Sequence, residues 1–279
     1  MLLVDKPAGM TSHDVVAIVR RAAKSRRVGH TGTLDPFATG LLVVLVGRGT
    51  RLIPYVDGEP KVYEAVVRFG TETDTDDATG AVTRNAPVPT NVAIAEGIAR
   101  LTGEIDQMPP AYSAKKVDGT RAYDAARRGL ALELKTSRVI VHDWVLLGQT
   151  ETELSARITC SGGTYVRALA RDLGRIAGSA AHLSALRRIR SGPFSVTEAV
   201  TLDQLRNGLL PLRPLRTGVS SLPTQRLDAN ELERVVHGNT IAARAAGQRV
   251  ALLDDEETLI AVAERAEDGL HPALVLRDA

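Results

Sequence analysis

Residues 26–40 read RRVGHTGTLDPFATG, a glycine-bounded loop that carries one aspartate, Asp35, between a leucine and a proline. The stretch has no apolar periodicity. Pro36 keeps Asp35 out of helical geometry, because the proline ring disfavours the helical region for the preceding residue. The continuous apolar run 41–46 follows directly. The sequence therefore predicts a loop that enters a buried strand, and Asp35 is either a turn former or a group with chemistry to perform.

The segments on either side of this loop have helical and strand periodicities. Before it, Thr11 and Ser12 are helix N-cap types ahead of apolar residues that share one helical face. After it, residues 61–69 alternate between apolar and polar side chains, which predicts a half-exposed strand. The positions on the apolar face of that strand are Tyr63, Ala65, Val67 and Phe69.

Later segments extend the same pattern. Thr90 is a predicted cap for a helix closed by Gly103, and a further helix is predicted at about 165–173. The inward positions of the Thr90 helix are predicted as Ile94, Ala95, Ile98 and Leu101. Residues 138–147 and 153–160 have strand character. We expect a mixed α/β (α+β) fold with a mainly antiparallel sheet.

Two loops and a linker interrupt these elements. Residues 71–80 are predicted to form a polar loop, and residues 106–121 are predicted to form a loop with Pro, Lys and Gly that precedes a short helix ending at Gly129. Pro, Gly and Ser are concentrated again near 211–223, which predicts a linker. We expect a large domain over 1–216, then the linker and a small β-rich accessory domain over 217–279.

Composition excludes several classes of protein. The chain has 279 residues, of which 44% are apolar and 24% charged, as in globular domains. A single cysteine, Cys160, excludes intrachain disulfides and Cys-rich metal sites and fits a reducing cytoplasm. The longest apolar run, 41–46, is far shorter than the roughly 20 residues of a membrane-spanning helix, and the start MLLVDKPAG does not resemble a secretory signal. We expect a cytoplasmic protein without a membrane partner.

Nucleotide cofactors and metals lack their usual motifs. The chain has neither a G-x-G-x-x-G pattern after a strand nor a G-x-x-x-x-G-K-[ST] loop, and its six histidines are not at metal-ligand spacing. No cofactor and no metal are expected.

Charge is unevenly distributed along the chain. Residues 224–279 carry a net charge of −5 and the remainder +7. Residues 157–190 hold seven arginines against one acidic residue, and residues 20–27 hold five basic residues. Such clusters suit a polyanionic partner, although solvated arginines on exposed faces would give the same composition.

Five motifs in one order give the sequence a specific resemblance. They are LLVDKPAGMTSHD (2–14), GHTGTLDPFATG (29–40), KVYEAVVRFGTETDTDDATG (61–80), PPAYSAKKVDGTRAY (109–123) and CSGGTYVRALARDLG (160–174). Together they resemble the bacterial TruB-type tRNA pseudouridine-55 synthase family over about residues 1–195. The resemblance implies a pseudouridine synthase fold with a C-terminal PUA-like β domain. It also implies an isomerase that converts the T-loop uridine at position 55 of tRNA to pseudouridine by base flipping, without a cofactor.

The resemblance also implies roles for individual residues. Asp35 matches the catalytic aspartate, Arg167 matches the arginine that pairs with it, and Tyr165 matches a tyrosine that contacts the uracil and moves a proton. Tyr63 matches the tyrosine on which the flipped base stacks. The other implied substrate contacts are His30, which packs near the flipped nucleotide, Leu186, an apolar wall of the base pocket, and the phosphate-holding Lys115, Lys116, Arg187 and Arg188.

Each role has a simpler alternative. Asp35 alone would be a turn former, Tyr63 and Leu186 would fill a core, His30 would be an incidental loop residue, and Arg167 would be one more phosphate-facing arginine. The acidic character of the C-terminal segment puts its contribution to RNA binding in doubt, since an RNA-binding module is expected to be basic.

Two other functions remain open. A tRNA-binding or folding protein would grip the same substrate without turnover, and a nucleoside or glycoside hydrolase would normally need two carboxylates. A guide-RNA-dependent relative is not expected, because the chain begins directly at the first motif. We expect a monomer that acts on the T arm of tRNA.

Overall fold

The computed structural model describes residues 1–112, 116–117, 120–121 and 135–277, with the backbone alone described at 116–117 and 120–121. The chain divides into two compact units that are discontinuous in sequence. The first unit comprises Met1–Asp35, Leu41–Gly58 and Val196–Ala279, and the second comprises Pro36–Gly40 and Glu59–Ser195. The predicted division at residue 216 stays a prediction.

The strands in chain order are β1 (Leu2–Lys6), β2 (Val28–His30), β3 (Thr39–Val46), β4 (Lys61–Phe69), β5 (Thr71–Thr73), β6 (Val82–Asn85), β7 (Gly103–Gln107), β8 (Lys116–Val117), β9 (Thr120–Arg121), β10 (Ser137–Gln149), β11 (Glu153–Cys160), β12 (Ala181–Ser191), β13 (Phe194–Ser195), β14 (Val200–Thr201), β15 (Thr224–Arg226), β16 (Arg249–Leu253), β17 (Leu259–Ala266) and β18 (Gly269–Val275).

The described α-helices are α1 (Ser12–Ala22), α2 (Asn91–Arg100), α3 (Val166–Ile176), α4 (Leu202–Arg206) and α5 (Ala229–Val236). Short 3₁₀ helices occupy Gly47–Tyr55, Val196–Glu198 and Leu215–Val219. In the described part of the chain, no helix has the length and apolar character needed to cross a membrane.

In the first unit, helix α1 forms where its N-terminal signals predict it. Thr11 and Asp14 make a capping box, in which each side chain accepts a hydrogen bond from the other residue's backbone N–H. Val15, Val16 and Val19 are buried on one face. Val15 and Val19 join the core formed by β1, β3, β14 and α4, whose buried members include Leu2, Val4, Leu42, Val44, Val200 and Leu205.

The C-terminal part of the first unit is a small sheet with one helix. Its strand order is β15-β16-β17-β18, and α5 begins with a capping box between Asp228 and Glu231. The β-rich character predicted for this segment is therefore confirmed, and the segment also contains the helix α5. Four of its six arginines contact acidic residues of the same segment; the pairs are Arg226–Glu257, Arg244–Glu231, Arg249–Glu264 and Arg277–Asp254.

The second unit is organised around strand β4. The strand order is β12-β4-β11-β10-β7, and every pair in this series is antiparallel. Tyr63, Ala65, Val67 and Phe69 are all buried, as the alternation in 61–69 predicts. The strands predicted at 138–147 and 153–160 are confirmed by β10 and β11.

The first two residues of β3, Thr39 and Gly40, also belong to the second unit, where they pair in parallel with Arg187 and Arg188 of β12. Gly40 has φ +102°, and a Cβ atom there would lie 2.2 Å from the carbonyl oxygen of Arg188. Only glycine fits this close approach of two backbones.

The structure differs from the sequence predictions in several places. Strand β2 lies inside the predicted loop 28–40, because three residues paired with β3 are too few to show a period. Ala95 of α2 is exposed, whereas Gly97 is buried with its Cα facing Leu173 of α3; the glycine lets the two helices approach closely. The helix α4 was not predicted. The short helix expected to end at Gly129 lies outside the described residues.

Candidate active site

The loop that carries Asp35 is anchored in the first unit by its neighbours. The Leu34 N–H donates to Ser12 Oγ at 2.9 Å, and Ser12 Oγ donates to the Leu34 carbonyl at 3.2 Å. Ser12 is the first residue of α1, and Leu34 is buried. The residue before Asp35 is therefore fixed to the start of a helix, and Asp35 itself is half-buried.

His30 takes part in the structure of the same loop. Its Nδ1 accepts a hydrogen bond from the Gly32 N–H at 3.2 Å, and its ring meets the His13 ring edge-on at 5.9 Å between centroids. The Thr31 N–H donates to the Val43 carbonyl of β3 at 3.1 Å. Thus His30 helps to shape the loop, and its predicted contact with a nucleotide stays a prediction.

In the second unit, three arginines of α3 share one helical face and contact three acidic residues. Arg167, Arg171 and Arg175 are four residues apart, a spacing that places their side chains in one row. The nitrogen–oxygen distances are 3.5 Å for Arg167–Asp77, 2.9 Å for Arg171–Asp76 and 2.7 Å for Arg175–Glu72. We call these six residues the charge ladder. Part of the basic cluster that composition assigned to a polyanion is therefore neutralised inside the fold.

Arg167 is the most enclosed arginine of the charge ladder. The side chains of Arg167 and Asp77 are 4% and 5% exposed. The Arg167 guanidinium donates to the carbonyls of Thr75 at 2.6 Å and Tyr112 at 2.8 Å. Asp77 Oδ1 accepts from the Thr75 hydroxyl and from the Thr79 N–H, both at 2.9 Å. In its own unit Arg167 thus pairs with Asp77, while its predicted pairing with Asp35 stays a prediction.

The other two acidic residues of the charge ladder have opposite pKa shifts. Burial raises the pKa of the Asp76 carboxyl to about 6, and the Arg171 guanidinium opposes that rise. Hydrogen bonds from Arg175 hold the pKa of Glu72 below its ordinary value of 4.5. Glu72 also accepts from Arg84 at 2.9 Å. Glu72 is therefore held as an ionised carboxylate, whereas the Asp76 carboxyl is partly protonated in mildly acidic solution.

Glu72→Gln is expected to lower stability at neutral pH by about 1–3 kcal/mol, because the amide loses charge-assisted hydrogen bonds. A lowered folded-state pKa contributes stability that is present above the ordinary value of 4.5 and lost as pH falls through the folded value. The difference in melting temperature from the wild type should therefore shrink below about pH 4. Glu64→Gln, at an exposed pair with Arg157, is the matched control. A difference in melting temperature between Glu72→Gln and the wild type that stays constant with pH would contradict this account.

Three predicted site residues, together with Ala65, lie on one face of the β4–β12 pair. Arg188 lies opposite Tyr63, and Leu186 lies opposite Ala65. Directly opposed residues of antiparallel strands lie on the same face. Tyr63, Leu186 and Arg188 are 7%, 8% and 2% exposed, so this face is buried. The structure thus brings these three predicted residues together.

The remaining predicted residues are placed separately. Arg187 is half-buried, lies opposite Glu64 and has its Nη1 3.4 Å from the Thr39 hydroxyl. Lys116 begins the short strand β8, and Lys115 lies outside the described residues. In the described part of the chain, no group of three His, Cys, Asp or Glu side chains could hold a metal ion.

Tyr165 is the N-cap residue of α3, and its backbone is held by a residue that the sequence did not suggest. The Tyr165 N–H donates to Gln107 Oε1 at 2.8 Å, and Gln107 Nε2 donates to the Tyr165 carbonyl at 3.1 Å. Glu72, Asp76 and Asp77 were also missed, because the segment TETDTDD looks like a solvated loop. The one sequence signal for them was the spacing of four between the three arginines of α3.

Comparison with known proteins places the chain in a family. The model described as "TruB family pseudouridylate synthase (N terminal domain)" matches residues 20–166, and "tRNA pseudouridylate synthase B C-terminal domain" matches residues 167–213. The chain belongs to the TruB family. "tRNA pseudouridine synthase B" of Thermobifida fusca (strain YX) is 45% identical over 285 residues, which cover 99% of this chain and 97% of that protein. The same-named protein of Aromatoleum aromaticum is 46% identical over 251 residues, 87% of this chain and 81% of that protein.

Solved structures show the same fold as this TruB family member. A chain in "Crystal Structure of a Cbf5-Nop10-Gar1 Complex" has a TM-score of 0.75 and 24% identity, with 99% of this chain and 84% of that chain covered. One in "Structure of H/ACA RNP bound to a substrate RNA containing 2'-deoxyuridine" has a TM-score of 0.72 and 22% identity, with the same coverage. The family resemblance and the mixed, mainly antiparallel fold class are confirmed, and the protein is a pseudouridine-forming isomerase of the tRNA-modifying type.

Proposed function

We propose that this protein isomerises the T-loop uridine at position 55 of tRNA to pseudouridine, acting alone and without a guide RNA. The observation that carries the proposal is the Asp35 loop, which Ser12 fixes to α1 within a chain that matches the TruB family throughout. A preformed loop holds a carboxylate at a set position before substrate arrives, which is what catalysis by positioning requires.

The reaction conserves every atom of the substrate. The bond between uracil N1 and ribose C1′ breaks, the uracil turns, and a bond forms between C5 and C1′. The C5 proton is then lost, and N1 gains a proton. No electron leaves the substrate, so no oxidant or reductant is required. Asp35 is assigned the carboxylate role next to the ribose and uracil, and Tyr165 is assigned contact with the uracil and movement of the C5 proton.

The target base must leave its stack before a carboxylate can reach it. Tyr63 is assigned the flat surface that supports the flipped uracil, with Leu186 beside it as an apolar wall. Both lie on one buried face, together with Arg188. Because Arg188 is only 2% exposed, it would meet a ligand inside the fold, whereas Arg187, Lys115 and Lys116 are assigned to phosphates at the surface.

The electrostatic attraction to tRNA comes from fewer residues than the composition indicates. Arg157, Arg167, Arg171 and Arg175 all contact acidic residues of the second unit. The acidic C-terminal segment has most of its arginines paired internally. Salt-sensitive affinity is assigned mainly to the basic residues 20–27, to Arg187 and Arg190, and to the two lysines at 115–116.

Tyr63→Leu is expected to lower the single-turnover rate sharply, because a base–aromatic stack is worth about 1–3 kcal/mol. Tyr63→Phe should retain most of the rate, since the flat ring remains. Rate and melting temperature are measured on the same preparations. If the Leu variant has a depressed melting temperature and wild-type turnover, Tyr63 is a core residue only.

The function is tested with purified protein and an unmodified tRNA transcript, followed by chemical mapping of pseudouridine and mass analysis of the RNA. Pseudouridine at position 55 with unchanged RNA mass is expected. A second transcript with cytidine at position 55 should remain unmodified. Binding without pseudouridine would indicate a tRNA-folding protein, and release of free uracil would indicate a hydrolase.

A further inference from the structure

The segment 107–112, QMPPAY, contacts α3 at three points within the second unit. The Gln107 side chain binds the backbone of Tyr165. The Met108 carbonyl accepts from Arg171 at 2.8 Å, and the Tyr112 carbonyl accepts from Arg167 at 2.8 Å. The same short segment therefore contacts both Tyr165 and Arg167, two residues to which the family resemblance assigns roles.

Both polar atoms of the Gln107 side-chain amide make hydrogen bonds. The residue is 2% exposed, at the end of β7, where its backbone pairs with Ser137 of β10. Its oxygen accepts from the Tyr165 N–H and its nitrogen donates to the Tyr165 carbonyl. An amide side chain accepts at its oxygen and donates from its nitrogen, and it stays neutral whatever the pH.

Helix α3 begins directly after Tyr165. Tyr165 is the N-cap residue, and its own side chain makes no capping hydrogen bond. Its carbonyl also accepts the first helical hydrogen bond, from Leu169 at 3.1 Å. Gln107 thus fixes, from the end of a strand 58 residues away in sequence, the residue from which the Tyr165 ring projects.

We propose that Gln107 is a positioning residue for pseudouridine formation. By fixing the backbone N–H and carbonyl of Tyr165 it sets the direction in which that side chain leaves α3. This inference rests on the proposed function, because it gives Gln107 an effect on the reaction through Tyr165. Gln107 does not itself contact the substrate in this scheme.

Gln107→Glu tests the proposal because it changes one end of the amide and keeps the length. An ionised Glu still accepts from the Tyr165 N–H, but its second oxygen would face the Tyr165 carbonyl without a proton. At about pH 8 the single-turnover rate should fall about tenfold relative to wild type, as expected for one lost buried hydrogen bond. Binding of tRNA should change little.

Recovery of the Gln107→Glu rate at lower pH distinguishes a positioning role of Gln107 from a role in stability alone. A buried Glu has a raised pKa, and its protonated form regains the donor that Gln107 supplies. The rate relative to wild type should therefore recover as pH falls toward about 6. Gln149→Glu is the matched control, since the exposed Gln149 amide lies in the same unit and donates to Asn91 of α2. It should show neither the loss nor the recovery.

A double-mutant cycle with Tyr165→Phe shows whether the effect passes through Tyr165. If Gln107 acts by aiming that side chain, Gln107→Glu should slow the Tyr165→Phe enzyme much less than it slows wild type. Equal slowing in both backgrounds overturns the proposal. So does a Gln107→Glu enzyme with a lower melting temperature and a wild-type rate.

A neutral variant covers the case in which Gln107→Glu does not fold. Gln107→Met has nearly the same length and removes both hydrogen bonds without adding charge. A folded Met variant with wild-type turnover overturns the proposal, and one that is slowed with unchanged tRNA binding supports it. A wild-type protein that forms no pseudouridine would reject the proposed function, whereas an active wild type with unaffected Gln107 variants would reject this inference alone.

Discussion

Asp35→Asn is expected to give a folded protein that binds tRNA and forms no measurable pseudouridine. The substitution keeps the shape of the side chain and removes its charge, and the contacts of Ser12 with Leu34 that anchor the loop do not involve the carboxylate. The single-turnover rate should fall by at least about a hundredfold, the scale on which a positioned reactive group contributes. Pseudouridine mapping, tRNA binding and melting temperature are measured together.

Asp203→Asn is the matched control for Asp35→Asn. It removes one negative charge from the same unit at a side chain that is 84% exposed and that pairs across one helical turn with Arg206. Its turnover should equal that of the wild type. An Asp35→Asn enzyme that forms pseudouridine near the wild-type rate would show that Asp35 is a turn residue and that the catalytic carboxylate lies elsewhere.

Arg167→Met is expected to lower stability by about 3–5 kcal/mol, because it leaves the buried Asp77 carboxylate without its cation. It is also expected to abolish activity, because it removes the arginine that is predicted to pair with the catalytic aspartate. The Thr75 and Tyr112 carbonyls also lose their guanidinium donor. The hydrogen bonds that Asp77 accepts from Thr75 and Thr79 remain, so we expect the loss of stability to lie toward the lower end of that range. Thermal or denaturant unfolding measures the loss.

Two further variants separate the structural and the catalytic consequences of losing Arg167. Arg167→Met with Asp77→Asn buries no unpaired charge, so it should regain much of the stability and none of the turnover. Arg167→Lys keeps the charge, but an ammonium group cannot reproduce the planar fork that meets two carbonyls and a carboxylate. If the double variant regains turnover along with stability, Arg167 serves the fold alone.

The local elements of the fold were predictable because their signals lie within a few residues of one another. Thr11 and Ser12 indicate the start of α1, and alternation identifies β4 with Tyr63 on its buried face. The elements that were missed have short or weak local signals. Strand β2 has three residues, and α4 has five. Ala95 was placed on the wrong side of α2 because the buried face of that helix is set by Gly97 against α3.

The sequence by itself determined the family, the mixed fold and the candidate reactive residues, because motifs and periodicities are written in adjacent letters. It did not determine which charged side chains form ion pairs with one another inside the protein. Arg171 and Asp76 are 95 residues apart in the chain. The sequence does not show whether an arginine is surrounded by water, by a phosphate or by a buried carboxylate. The contact of Gln107 with Tyr165 likewise exists only once β7 and α3 are packed. Tertiary structure decided these pairings, because a buried charge or amide without a hydrogen-bonding partner is costly. The partners are distant in sequence and become neighbours only when the chain folds.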